Sequence, residues 1–192
     1  QVKDTSTETV NALVKHIRSG NFLPREYELR IAHGRVDRVD TFEDGNNIYV
    51  KVIDYKSGNK VFNVTETFLG LQMQLMVYLK DTVDYIKKNN PDKNVYPAAG
   101  LYFHVYDPYV SEIDCEKAVS DFRKNNPDSE LSDEELKKMA IEGERFKAYR
   151  MSGLVAKEIE IVNAMDHNTI TKTGSSAILP VNITKSGVDA RS

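Results

Sequence analysis

One cysteine, Cys115, stands in a chain of 192 residues. A lone thiol can form neither an internal disulfide nor a four-thiolate metal centre, so a reducing, cytoplasmic setting is expected and Cys115 reads as a structural bystander. No apolar run is long enough to span a bilayer, which argues against a membrane protein. No G-x-x-x-x-G-K-[ST] loop occurs, so the chain carries no nucleotide-driven motor of that type. Excess positive charge is also missing: the net charge is −3, which argues against a domain that holds nucleic acid mainly by a large basic face. An acidic metal site would itself add negative charge, so this weak acidity leaves such a site open. There is no internal repeat, no low-complexity tract and no charged-then-apolar leader, and at this length a single domain is expected. The chain opens on Gln1 rather than methionine, and is expected to be a fragment of a larger subunit.

What is present is ordinary for a globular fold, with 40% hydrophobic and 29% charged residues, so the order of elements carries more information than the composition. Residues 4–19 place Val10, Leu13, Val14 and Ile17 at helical spacing ahead of Gly20, which predicts an amphipathic helix. The segment Glu43-Asp44-Gly45-Asn46-Asn47 separates two β-rich runs, Arg35–Phe42 and Ile48–Lys56, and predicts an antiparallel pair. Gly70–Lys88 is the strongest helical stretch, with Leu71, Leu75, Leu79, Val83 and Ile86 as its buried stripe, ending at Asn89-Asn90-Pro91. Ala99–Tyr106 reads as a buried strand, Ser132-Asp133-Glu134-Glu135 as the start of a solvated helix, residues 154–165 as a helix, and Ala177–Thr184 as an edge strand because of Pro180. Helix, strands, helix, strand and helices in that order predict a mixed α/β sandwich around a central sheet.

The segment that carries chemistry is Val52-Ile53-Asp54-Tyr55-Lys56. In a strand, alternate side chains share a face, so Asp54 and Lys56 project together while Ile53 and Tyr55 point away. Upstream, Gly34-Arg35-Val36-Asp37 sets a second carboxylate on the neighbouring strand, within roughly 5 Å of Asp54 across the hairpin. Two adjacent acids repel unless a cation lies between them, and Mg²⁺ takes hard oxygens, usually one or two carboxylates with waters. Asp37, Asp54 and the backbone carbonyl of Tyr55 form a plausible ligand set, with Lys56 beside the nucleophile. Glu135-Leu136-Lys137 repeats the acid-x-lysine pattern, but on a helix the two side chains diverge. Gln74 and Tyr78 sit four apart on the long helix and share a face that can reach the site or a phosphate backbone.

Taken together, Gly34-Arg35-Val36-Asp37-Arg38-Val39-Asp40, Val52–Gly58 and Gly70–Leu79 resemble the motifs of RecB-type PD-(D/E)xK nucleases. More narrowly, Phe22-x-Pro24 with Glu28, Pro97–Phe103, Tyr149-Arg150-Met151-x-Gly153-Leu154 and Ser176–Val181 resemble the C-terminal nuclease domain of the AddB/RexB family. The resemblance covers most of the chain. It implies a restriction-endonuclease-like α/β core, a central mixed sheet flanked by helices. It further implies that Glu28 is the acid of the first motif, that Asp37 and Asp54 bind Mg²⁺, which Mn²⁺ can replace, that Lys56 is catalytic, and that Gln74 and Tyr78 form the helix motif. The implied partners are DNA, as a single strand emerging from an unwound duplex end, and an AddA-like helicase-nuclease subunit that supplies the motor during double-strand break processing.

This sequence departs from the family in two places. Family members carry flanking cysteines for an iron–sulfur cluster, and Cys115 matches none of them, so no cluster is expected in this fragment. The stretch between Glu28 and Gly34 is shorter than the family's usual strand pair. Early-helix histidines contribute to RecB-type sites, but that histidine is expected further upstream than Gln1, so His16, His33, His104 and His167 are read as structural or surface residues. Two other readings stand beside the leading one: a free-standing RecB-like exonuclease of the CRISPR-associated kind, and a non-catalytic domain that docks DNA or a partner.

Overall fold

The computed structural model describes residues 2–57, 65–66, 73–106, 108–167, 174–176, 178–184 and 187–190. Its centre is a five-stranded sheet of β1 (Leu23–Ile31), β2 (Gly34–Asp44), β3 (Asn47–Lys56), β4 (Asn94–His104) and β5 (Ser152–Val155), hydrogen-bonded in that order. Every neighbouring pair is antiparallel except β3 with β4, which run parallel. A parallel pair needs a crossover, and α2 (Gln74–Asn89) lies within it. The sheet is therefore mixed and flanked by helices, as the resemblance implied. The β2–β3 hairpin closes on Gly45-Asn46, with Asp44 opposite Asn47 and Gly45 at φ 55°, a left-handed turn position that suits glycine.

Strand alternation divides the core in two. Ile48, Val50 and Val52 of β3 pack with Val39, Leu79 and Ile86 under α2. Ile53, with Leu101 and Phe103 of β4, turns to the opposite face. There it meets α1 (Val2–Arg18), α5 (Ile159–Met165) and a small antiparallel sheet of β6 (Gly174–Ser175), β7 (Val181–Thr184) and β8 (Gly187–Ala190). Between β4 and β5 the chain forms two helices, α3 (Glu112–Asn125) and α4 (Asp133–Ala148). Their only buried residues are Cys115 and Leu136, and a capping box joins Ser132 to Glu135, so α4 is the solvated helix its sequence predicts.

The structure corrects several local expectations. In α1 the buried residues are Thr9, Ala12 and His16, and Leu13 of the expected stripe packs against the core, whereas Val10 and Val14 are exposed. Phe103 of β4 and Phe146 of α4 form an aromatic recess that accepts the His16 ring, at 5.6 and 5.2 Å. α3, opened by the Ser111 cap, is an addition to the expected elements. β4 starts five residues before Ala99, because Pro97 lies where the register against β3 shifts and a missing donor is tolerated. Residues 152–155 form a strand rather than the start of a helix: a Cβ on Gly153 would lie 2.2 Å from the Gly100 carbonyl oxygen, so only glycine allows this pairing. Val181–Thr184 is the middle strand of the small sheet rather than an edge. Gly70, Leu71 and Ala177 lie outside the described residues.

Candidate functional site

The last paired residues of the β2–β3 ladder are Arg38 and Ile53, so Asp37 and Asp54 are the next position outward. Asp37 Oδ2 accepts the Tyr55 N–H at 2.7 Å. The carboxylate thus takes a main-chain donor at the point where the strands part, and it holds the Asp54–Tyr55 peptide against β2. Asp54 is 4% exposed and lies on the Val50/Val52 face, beneath α2. Lys56, two residues on, forms an ion pair with Asp54.

Helix α2 brings the second half of the group. Lys56 Nζ donates to Gln74 Oε1 at 3.4 Å, and Gln74 Nε2 donates to the Tyr78 hydroxyl at 2.8 Å. Tyr78 also packs on Gly34, where an added Cβ would lie 2.8 Å from its oxygen. The start of β2 is held to α2 a second time by His33, whose N–H and Nδ1 reach Asp81 Oδ2 at 3.1 and 2.7 Å. That contact holds the Asp81 carboxyl below its ordinary range. Asp37, Asp54, the Tyr55 backbone, Lys56, Gln74 and Tyr78 therefore meet at one end of the sheet.

Glu28 is placed differently. It falls between the pairs Tyr27–Arg38 and Leu29–Val36, opposite Asp37 but one strand further out, and its carboxylate engages Arg35 at 2.7 Å with more than half its surface exposed. Its φ of 53° is the one positive value at a non-glycine among the described residues. Such a conformation costs of order ~1 kcal/mol or more and marks a constrained site. The alternation breaks at the same level, since Val36 and Val39, three apart, pack in one cluster.

Residues to which the motifs give no role complete the surroundings. Tyr102 on β4 is in register with Asp54, and its ring lies 5.1 Å below the Lys56 ammonium. Burial raises its phenol pKa, opposed by the neighbouring Lys56 charge. His104 is in register with Lys56. On the opposite face, Asp40 accepts Arg38 Nε and Nη2 at 2.6 and 2.7 Å and pairs with Lys51 Nζ at 3.0 Å. Burial works against the Arg38 charge, yet Asp40 outweighs it and raises the guanidinium pKa; burial lowers that of Lys51. Burial raises the Tyr55 phenol pKa, opposed by the neighbouring Arg38 guanidinium. His16 shares that face. Burial, with Lys51 and Arg38 nearby, lowers its pKa to about 3; it is a neutral core residue on the face opposite Asp54. His167 bonds Asn21 at 3.0 Å, beside a concavity of about 840 Å³ lined by Phe42, Tyr49, Tyr96 and Glu158 at the other end of the strands.

Among the described residues no three His, Cys, Asp or Glu side chains gather to hold a metal. Two carboxylates beside a main-chain carbonyl fit the lighter demand of Mg²⁺, whose remaining ligands are water and substrate oxygens. No helix among those residues is long and apolar enough to cross a membrane.

Three relatives, each the B-type subunit of an ATP-dependent helicase/deoxyribonuclease, are similar to this chain. That of Clostridioides difficile (strain 630) is 32% identical, covering 97% of this chain and 16% of its own length. That of Thermoanaerobacter sp. (strain X514) is 32% identical over 94% of this chain and 15% of its own. That of Oceanobacillus iheyensis is 35% identical over 86% and 12%. The chain thus spans about a sixth of the length of these relatives or less. The first alignment runs over 208 positions, more than the 192 residues of the chain, so that relative has residues with no counterpart here. The PD-(D/E)XK nuclease superfamily matches residues 1–166, a span that includes every element from α1 to α5 and all the side chains gathered around Lys56, and the chain belongs to that superfamily.

Proposed function

We propose that this chain is the nuclease domain, spanning residues 1–192, of a larger subunit, and that it hydrolyses DNA phosphodiesters as a magnesium-dependent exonuclease during double-strand break end processing. The observation that carries this reading is the meeting of Asp37, Asp54 and Lys56 with Gln74 and Tyr78 in a chain of this superfamily. Asp37, Asp54 and the Tyr55 carbonyl would hold Mg²⁺, or Mn²⁺ in its place. The bound cation supplies a more acidic water and neutralises charge on the phosphate.

The side chains do the rest. Lys56 orients the water as an ammonium, or deprotonates it as the neutral amine; that water attacks phosphorus in line, and the bond to the departing sugar oxygen breaks as that oxygen takes up a proton to leave as a hydroxyl. Gln74 holds Lys56 on the Asp54 face, and Tyr78 fixes the Gln74 amide. Glu28, as the first-motif acid, acts from one strand further out.

The helicase/deoxyribonuclease relatives support placing the chain in a helicase-nuclease complex; to this we add a cytoplasmic setting, a single DNA strand as substrate and an AddA-like partner as motor. Similarity to a part of much longer proteins favours this over a free-standing exonuclease. The convergence of Asp37, Asp54, Lys56, Gln74 and Tyr78 at one end of the sheet favours it over a docking domain, which has no need of that set. No iron–sulfur cluster is assigned to the chain.

The test is degradation of single-stranded DNA in Mg²⁺ by wild type, Asp54→Ala and Lys56→Ala, with circular dichroism as the check on folding. Each variant should lose about 100-fold or more in rate while remaining folded. Full magnesium-dependent cutting by both would refute the assignment.

A further inference from the structure

Tyr102 falls within the Pro97–Phe103 stretch but has no role assigned to it there, and its position is specific. It lies on β4 in register with Asp54 and is buried. Its neighbours Leu101 and Phe103 pack into the apolar cluster on the far face. Tyr102 belongs to neither apolar cluster and presents its ring to the Lys56 ammonium at 5.1 Å, nitrogen to centroid.

Lys56 therefore has three holders: the Asp54 carboxylate, the Gln74 amide oxygen and this ring. They respond differently to a divalent cation. Asp54 is the group such a cation would claim, and a carboxylate shared with it attracts an ammonium less. The bond to Gln74, at 3.4 Å, is near the long limit of a hydrogen bond. The Tyr102 ring attracts the ammonium through its quadrupole, which a hard cation seeking oxygen ligands leaves alone. The hold of the ring on Lys56 thus persists when Asp54 is engaged.

We propose that Tyr102 is a positioning residue, whose ring keeps the Lys56 ammonium over the Asp54 site when that carboxylate binds a metal. The hold itself is a matter of geometry; its consequence for cutting rests on the nuclease reading above.

The two are separated by pairing a metal-free readout with a kinetic one, using the whole chain and the variants Tyr102→Phe and Tyr102→Leu. In the metal-free protein the Lys56 ε-methylene signal, identified with Lys56→Arg, should be shifted upfield by the ring. The shift should survive Tyr102→Phe and vanish in Tyr102→Leu. With Mg²⁺ and single-stranded DNA, Tyr102→Leu should lower kcat about tenfold with KM and calorimetric Mn²⁺ affinity held within about twofold, and Tyr102→Phe should restore kcat. An unshifted Lys56 signal in wild type would overturn the proposal whether or not Tyr102→Leu folds. So would equal kcat in wild type and Tyr102→Leu, or a Tyr102→Phe variant as slow as Tyr102→Leu. An inactive wild type with a ring-shifted Lys56 would count against the nuclease reading and support the hold of Tyr102 on Lys56.

Discussion

Asp37 and Tyr55 are joined by a 2.7 Å hydrogen bond from main-chain N–H to carboxylate, one position beyond the last paired residues of their strands. One side chain thereby closes the ladder and sets the peptide that follows Asp54. Asp37→Ala removes the acceptor and should destabilise the fold by about 1–2 kcal/mol. Asp37→Asn keeps a carbonyl oxygen there and should cost less, yet both variants should lose metal affinity because both lose the charge. Urea denaturation read beside calorimetry checks this; an Asp37→Asn variant that binds Mn²⁺ like wild type would contradict it.

The buried group of Arg38, Asp40 and Lys51 predicts an asymmetry. Asp40 neutralises two cations, so Asp40→Ala leaves both in the core and should cost about 3–5 kcal/mol. Lys51→Met removes a cation that burial already disfavours and leaves the Arg38–Asp40 pair intact. It should change stability by about 1 kcal/mol or less. Comparison of urea midpoints gives the answer, and equal losses in the two variants would refute the account.

His16 makes stability depend on pH in a defined window. Its pKa falls from 6.5 to about 3 on folding, so between those values the unfolded chain binds the proton and the folded chain does not. Stability is therefore full above about pH 6.5 and drains away as pH falls toward 3, by a few kcal/mol in all, roughly. The groups that face the ring are Lys51 and Arg38 from the sheet, with Phe103 and Phe146. His16→Phe should flatten the slope between pH 6.5 and about 4. Urea midpoints at about pH 7 and pH 5 that shift as much in His16→Phe as in wild type would remove His16 as the source.

Gly153 tests the pairing of β4 with β5. At φ 143° and with a backbone oxygen 2.2 Å from the site of a Cβ, it has no room to yield. Gly153→Ala should destabilise by about 3 kcal/mol or more, whereas Gly143→Ala, with open space around it in α4, should stabilise slightly. Thermal unfolding of the two variants decides the matter.

The parts of the site that are legible in the sequence are those set by local rules. Alternation along β3 puts Asp54 and Lys56 on one face, the turn at Gly45 sets Asp37 beside them, and helical spacing joins Gln74 to Tyr78. The role of Tyr102 is not legible, because it depends on the parallel pairing of β3 with β4, which no local pattern encodes across a crossover. The inward face of α1 escapes a sequence reading for a related reason: Val10 and Val14 are more apolar than Thr9 and His16, but the recess between Phe103 and Phe146 is a tertiary feature. The strand at 152–155 looks helical in sequence from residue 154 onward because the need for glycine at position 153 arises from Gly100, on another strand.

The central claim is that Asp37 and Asp54 form a divalent cation site that cuts DNA. It is tested most directly by titrating Mn²⁺ or Mg²⁺ calorimetrically into wild type and Asp54→Ala, beside single-stranded DNA degradation by the same samples. The account predicts binding and cutting by wild type and loss of both in a folded Asp54→Ala. Wild type that binds neither ion, or Asp54→Ala that binds as wild type does, would contradict it.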